Sequence, residues 1–184
     1  MPAMARQQEE ERTTGRDEAP PALGVDVGGV IIGRVAADSD TSFFGPQPLL
    51  TPAVEGVMEA LAALTADPFA GRVHVISKAG PKIAERTREW LGHHAFFART
   101  GIPEGHLHFV RERADKAPVC ARLGVTHFVD DRLDVLARLT TVAHRLLFTG
   151  GLGDLAPPDP GRVPSWATVT ETWPETVTAV RSTG

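Results

Sequence analysis

The chain has 184 residues, of which 42% are hydrophobic and 23% charged, and its formal net charge is −4. This length suits one α/β domain with a real core. The weakly acidic balance argues against nucleic acid or acidic lipid as a general partner. A single cysteine excludes an intrachain disulfide and a cysteine-based zinc site. Without an 18-residue apolar run or an apolar signal core, the sequence predicts a cytoplasmic protein with no membrane segment.

The first 20 residues differ in composition from the rest of the chain. They are polar and charged, lack apolar periodicity and lead into Pro20-Pro21. This pattern predicts a disordered tail at residues 1–20. We find no internal repeat in the remainder, so residues 22–184 are expected to form a single domain.

Apolar strand candidates alternate with helical patterns along this domain. The first strand, Ala22–Val25, leads into Asp26 and a glycine loop, and an irregular segment follows at about residues 33–50. Thr51-Pro52 predicts a helix start, with a capping hydroxyl before a proline. Further strands are expected at 72–76, 107–110, 125–129 and 145–148, with helices beginning near 81, 115, 133 and 174. The alternation predicts a three-layer, Rossmann-like parallel sheet with helices on both faces.

Chemically active side chains follow the ends of several of these strands. Asp26, Ser77 and the pair Asp130-Asp131 are placed in this way, and Lys116 opens the helix before the last of them. Because ligands of parallel sheets collect at the carboxyl ends of the strands, these groups are expected to converge. Carboxylates hold Mg²⁺, a hydroxyl and an ammonium bind phosphate oxygens, and a carboxylate can be a covalent nucleophile. The set predicts Mg²⁺-assisted phosphoryl chemistry.

The order and spacing of these motifs resemble the haloacid dehalogenase-like (HAD) superfamily over roughly residues 22–150. The motifs that carry the resemblance are Gly24-Val25-Asp26-Val27-Gly28-Gly29-Val30, Val75-Ile76-Ser77-Lys78, Lys116, and His127-Phe128-Val129-Asp130-Asp131-Arg132 followed by Asp134. The Val-Asp-Asp-Arg element is similar to the deoxyribonucleotidase-like branch of the phosphatases in particular.

The resemblance implies a role for each acidic residue. Asp26 would attack phosphorus and form an aspartyl-phosphate. The carboxylates of Asp26 and Asp130 and the main-chain carbonyl of Gly28 would hold Mg²⁺. Asp131 would bind the metal through water or orient its ligands.

The resemblance also implies a phosphate-binding set and a substrate. Ser77 and Lys116 would bind the transferring phosphoryl group, with Lys78, Gly28 and Gly29 as further phosphate contacts, and Lys116 would also restrain Asp26. The substrate would be a small phosphorylated metabolite. Residues 33–50 leave room only for a minimal cap, in which Phe43-Phe44 either gates the site or packs under the loop. A homodimer is an open alternative to a monomer.

Gly28 departs from the pattern of the family's phosphatases. Those enzymes usually carry a second aspartate two residues after the nucleophile, which acts as the general acid and base. General acid–base help contributes about 100- to 10,000-fold in rate. Asp38, Asp40 and His74 are the candidates for a substitute.

Two other functions stay open at the level of sequence. Gly28 also fits a catalytically weakened HAD-like domain that binds a phosphorylated ligand or a protein partner. The stretch Gly24–Val30 further resembles the first phosphate loop of actin-like sugar kinases. Those kinases usually have threonine where this chain has Val30, and they need a second nucleotide-binding half.

The remaining metal-ligand residue types show no metal-site spacing. His93-His94 and His106-x-His108 are expected at the surface or in loops. Cys120 lies in an apolar helix and is expected in the core.

Overall fold

A parallel sheet of six strands organises the residues that the computed structural model describes, 19–34 and 44–184. The strand order is β3-β2-β1-β4-β5-β6, and every pairing is parallel. The strands are β1 Leu23–Val25, β2 Val73–Lys78, β3 Leu107–Val110, β4 His127–Asp130, β5 His144–Phe148 and β6 Ala167–Thr170. The predicted α/β architecture is confirmed. Most of the predicted tail, together with Asp38, Asp40 and Phe43, lies outside the described residues.

Helices cover both faces of this sheet and bury two apolar clusters against it. The helices are α1 Val57–Ala66, α2 Pro81–His93, α3 Phe96–Thr100, α4 Lys116–Leu123, α5 Leu133–Leu136 and α6 Trp173–Arg181. The larger cluster lies under α1, α2, α3 and α6, and the smaller lies under α4 and α5, where Cys120 is buried as expected. Among the described residues, no helix combines the length and apolarity that crossing a membrane requires.

Two buried tryptophans tie helices to the segments that surround Asp26. The indole of Trp173 in α6 donates to the Val30 carbonyl at 3.1 Å, and that of Trp90 in α2 donates to the Thr51 carbonyl at 2.8 Å. Buried indoles combine a large apolar surface with one N–H that needs an acceptor. Each tryptophan therefore fixes a loop to the core at a defined point.

The helix expected at Thr51-Pro52 begins instead at Val57. Thr51 accepts a hydrogen bond from the Gly45 amide through its hydroxyl at 3.4 Å rather than capping a helix. Ala53 then forms an antiparallel bridge with Ile32. Tertiary pairing with the segment after Asp26 therefore delays the helix by more than one turn.

Two elements have no counterpart in the expected series. Strand β6 is an edge strand whose residues Thr168 and Val169 are exposed, so it carries little apolar pattern. The short helix α3 follows α2 after Ala95, whose φ is 50°. Helix α2 itself runs without interruption through Gly92 to His93.

A cluster of three histidines joins β2 to β3, and the loop or surface placement expected for two of them is only partly right. The Nδ1 atom of His74 lies 3.3 Å from Nε2 of His108, and its ring stacks on His106 with centroids 4.2 Å apart. His106 contacts the Val73 carbonyl at 2.9 Å through Nδ1. Burial, followed by the nearby imidazoles and Arg72, lowers the pKa of His74 to about 4.

This low pKa predicts acid sensitivity of the fold. Below the ordinary histidine pKa of 6.5, His74 is protonated in the unfolded chain, whereas in the folded protein it stays neutral until about pH 4. Stability contributed by His74 is therefore present above pH 6.5 and lost as the pH falls towards 4, by roughly 2 kcal/mol. Urea unfolding of wild type and His74→Gln between pH 7 and 4.5 measures this loss. The variant should show a shallower decline, whereas the same change at exposed His93 should leave the decline unaltered.

Candidate active site

The candidate site lies where the strand order of the sheet reverses. Strands β1 and β4 are neighbours, but the chain proceeds from them to opposite edges of the sheet. Such a switch point leaves a crevice at the carboxyl ends of the two strands, which is where ligands of open α/β sheets bind. Asp26 follows β1 and Asp130 ends β4, so both carboxylates stand at this crevice.

The strand register places the predicted residues side by side. Val25 is paired with Val129 and with Val75, so Asp26 and Asp130 each lie one residue beyond a paired position, and Ser77 lies two beyond. The Asp26 amide donates to the Val129 carbonyl at 3.0 Å and extends the pairing. Ser77 is buried at the same edge.

Lys116 joins the carboxylates of Asp26 and Asp130. Its Nζ lies 2.9 Å from Oδ1 of Asp26 and 2.8 Å from Oδ2 of Asp130. Burial lowers the pKa of this ammonium, but attraction to Asp130 and Asp26 outweighs burial, so the pKa lies above its ordinary value. The structure therefore brings Lys116 into the acidic site as a permanent cation.

The chain delivers Lys116 to this position through a short turn. A 3₁₀ turn at Arg113–Asp115 precedes α4, and the side chains of Glu112 and Asp115 cap it reciprocally. Asp115 directly precedes α4, but its side chain does not cap that helix. Its Oδ2 instead accepts a hydrogen bond from the Glu112 amide at 3.1 Å. Lys116 then occupies the first position of α4.

Three carboxylates crowd the site. Asp26, Asp130 and Asp131 offer oxygens that all lie within 4.8 Å of one another. Burial raises the pKa of Asp130 and of Asp131, and repulsion from Asp26 adds to both shifts. A hard cation relieves such crowding, because carboxylate oxygens are its preferred ligands.

One oxygen of the cluster also needs a partner. Oδ1 of Asp131 is buried and has no hydrogen-bond partner among the described residues. A buried carboxylate oxygen without a partner is costly. This orphan oxygen and the all-oxygen donor set therefore fit a bound Mg²⁺.

Exposure distinguishes the three carboxylates. The side chain of Asp26 is 11% exposed, whereas that of Asp131 is 2% exposed and that of Asp130 fully buried. Lys116 also occupies one oxygen of Asp26 from the interior side. Asp26 is accordingly the carboxylate that an incoming substrate can reach.

The turn after Asp26 requires glycine at position 29. The amides of Ile31 and Ile32 both donate to the Val27 carbonyl, and Gly29 has a φ of 76°. A Cβ there would lie 2.3 Å from Oδ2 of Asp131. Gly28 is not in this left-handed region, and it forms a bridge with Ile32.

Arg34 is a residue of the site that sequence reasoning missed. Its Nε donates to Oδ2 of Asp131 at 2.9 Å, and both side chains are largely buried. Arg34 belongs to no motif and lies at the start of the irregular segment expected at about residues 33–50, so nothing in the local pattern marks it. Only its charge, opposite to the acidic cluster, is a hint.

Several expected site residues are not part of this arrangement. Asp134 is exposed and pairs with Nε of Arg132 at 3.1 Å. His74 lies opposite Gly24 in the register, three residues before Ser77, and its ring contacts His106 and His108 rather than the acidic cluster. Phe44 packs in the larger core. Lys78, by contrast, is half-buried next to Ser77 at the end of β2, so it stays a candidate phosphate contact.

The Lys116 ion pairs predict a large stability effect. Lys116→Met removes the cation from two buried carboxylates, and stranding buried charge in this way costs roughly 3 kcal/mol. The free energy of unfolding at pH 7, measured with urea, should fall by that order. Lys78→Met is the matched control, because Lys78 forms no ion pair with any residue that the structure describes. Equal, small effects at both lysines would contradict the assigned ion pairs.

Comparison with known proteins identifies the fold. No protein-family model and no curated protein sequence matches the chain. Among solved structures, D,D-heptose 1,7-bisphosphate phosphatase from Burkholderia thailandensis superposes with a TM-score of 0.56 and 16% identity, over 88% of this chain and 99% of its own. The two proteins share a fold.

A second structure is more distant. It is a protein from Burkholderia xenovorans LB400 assigned as a haloacid dehalogenase-like hydrolase. It aligns with a TM-score of 0.49 and 17% identity, over 68% of this chain and 57% of its own.

The Rossmann-like fold shared with the heptose bisphosphate phosphatase argues against the actin-like sugar kinase alternative.

Proposed function

We propose that this chain is a member of the HAD superfamily that hydrolyses phosphate esters of small metabolites with the help of Mg²⁺. The observation that carries the proposal is the position of Lys116, whose Nζ contacts both Asp26 and Asp130 at the switch point of the sheet. The fold shared with a bisphosphate phosphatase supports it. Fold alone does not determine function, so the proposal depends on the site.

Asp26 is the proposed nucleophile. Lys116 holds Oδ1, so Oδ2 is the oxygen available for attack on phosphorus. The Asp26 oxygen–phosphorus bond forms as the bond to the leaving oxygen breaks, which gives an aspartyl-phosphate and an alkoxide that takes a proton from solvent water to become the alcohol. Water then attacks phosphorus, releases inorganic phosphate and regenerates the carboxylate.

Asp26, Asp130 and the Gly28 carbonyl are the proposed ligands of Mg²⁺, with Asp131 beside them. The cation would supply charge stabilisation for the transferring phosphoryl oxygens. With its carboxylates ionised, the site has three negative and two positive side chains, counting Lys116 and Arg34. Mg²⁺ would reverse this net charge and favour a phosphate dianion.

Phosphate binding is assigned to Ser77, Lys116 and the glycine turn. Ser77 is buried at the edge where Asp26 stands, and its hydroxyl can donate to a phosphoryl oxygen. Lys78 follows it, and Gly29 brings backbone close to the carboxylates. These contacts would hold the phosphoryl group in line with the attacking oxygen.

Phosphate release from a panel of small phosphomonoesters tests the proposal. We expect turnover that requires Mg²⁺ and is abolished by EDTA. The absence of turnover across the panel, together with a rise in the melting temperature on adding one of its members, would instead support the second candidate. That candidate is a binding domain of the same family, and the observation that favours it is the lack of a carboxylate at Gly28.

A further inference from the structure

We infer that Arg34 is a positioning residue that orients Asp131 towards the bound cation, an inference that rests on the proposed function. Arg34 follows the bridge formed by Ile32 and is fixed by its own backbone. Its amide donates to the Gly151 carbonyl at 3.1 Å, and its carbonyl lies against Gly153, where a Cβ would approach to 2.4 Å. These two contacts hold the start of the segment at about residues 33–50 beside the carboxylates of Asp26, Asp130 and Asp131.

The side chain of Arg34 fixes one oxygen of Asp131 and leaves the other. Its Nε lies 2.9 Å from Oδ2, while Oδ1 is buried without a partner among the described residues. A guanidinium N–H donates in a fixed direction, so it restrains the rotation of the carboxylate it binds. Oδ1 is then held at a constant orientation within the carboxylate cluster.

Charge and geometry make opposite predictions for this residue. As a cation beside three carboxylates, Arg34 opposes the binding of a metal cation. As an orienting donor, it favours binding, because partners that orient metal ligands typically contribute about 10- to 100-fold in metal affinity. The sign of the change in Mg²⁺ affinity therefore separates the two roles.

Two uncharged substitutions isolate the hydrogen bond from the charge. Glutamine places its amide nitrogen the same number of bonds from Cα as Nε of arginine, so Arg34→Gln removes the charge and keeps the donor. Arg34→Met removes both and has a similar length. Calorimetric titration with MgCl₂ measures the affinity directly, without any substrate.

We expect Arg34→Gln to bind Mg²⁺ at least as tightly as wild type, and Arg34→Met to bind it about tenfold more weakly. Mg²⁺-dependent shifts in melting temperature should follow the same order. Tighter binding by both variants would show that Arg34 acts by charge alone, and binding equal to wild type by both would show that it does not influence the cation; either result would overturn the inference. If wild type itself fails to bind Mg²⁺, the proposed function falls together with the inference, whereas unaltered binding by Arg34→Met overturns only the inference.

Discussion

Replacing Asp26 by asparagine is expected to lower the rate of phosphate release by roughly 1,000-fold or more, because the variant lacks the covalent nucleophile. Asparagine has the same shape but cannot form the aspartyl-phosphate. Lys116 keeps its contact with Asp130 in this variant, so the fold should remain intact. Steady-state phosphate release under saturating Mg²⁺ measures the loss.

A control substitution at another aspartate and the trapping of the phosphorylated enzyme show whether the loss is specific to Asp26. Asp134→Asn removes an exposed carboxylate that pairs with Arg132, and it should retain nearly full activity. Acid quenching with ³²P-labelled substrate should leave label on wild type and none on the Asp26 variant. Substantial activity in the Asp26 variant would exclude Asp26 as the nucleophile.

Introducing an aspartate at Gly28 is expected to increase turnover by about 100-fold, the lower end of what general acid–base help contributes. The new carboxylate would stand two residues after Asp26, where it could protonate the leaving oxygen and then accept a proton from the attacking water. Gly28 does not have a left-handed φ, so the backbone accepts a side chain. Comparison of kcat for wild type and variant measures the gain.

Gly28→Asn controls for size and polarity, because asparagine introduces the same volume without an acid. A gain with aspartate and none with asparagine would show that the missing carboxylate limits the reaction. No gain with either, in folded protein, would show that another group already transfers the proton. The same substitutions at Gly29 are unsuitable, because a Cβ there would overlap Asp131.

The sequence predicted the class of fold and most of the strands because their signals are local. Buried parallel strands are short apolar runs, and β1, β2, β4 and β5 contain such runs. Strand β3 lies at an edge, but three of its four residues are apolar. Strand β6 was missed because it lies at an edge with half its residues exposed. The helix expected at Thr51 was displaced because Ala53 pairs with Ile32, a contact with a distant segment that no local pattern reveals.

The sequence also indicated which residues would meet in the candidate site. Asp26, Ser77 and Asp130 were identified because each ends a strand, and the ends of parallel strands share one edge. Their chemical roles stay predictions until the variants above are measured. Arg34 could not be identified in this way, because it lies in an irregular segment and contacts Asp131, which is 97 positions further along the chain.

Asp26 and Gly28 could be picked out from the order of residues alone, and they led to the prediction of a carboxylate nucleophile that lacks the second aspartate usual in the family's phosphatases. Only the tertiary structure decided how the charges are arranged. Lys116 bridges two carboxylates, Arg34 binds a third, and Oδ1 of Asp131 is left without a partner among the described residues. These contacts depend on distances between separate elements, and those distances arise only when the sheet and its loops have packed.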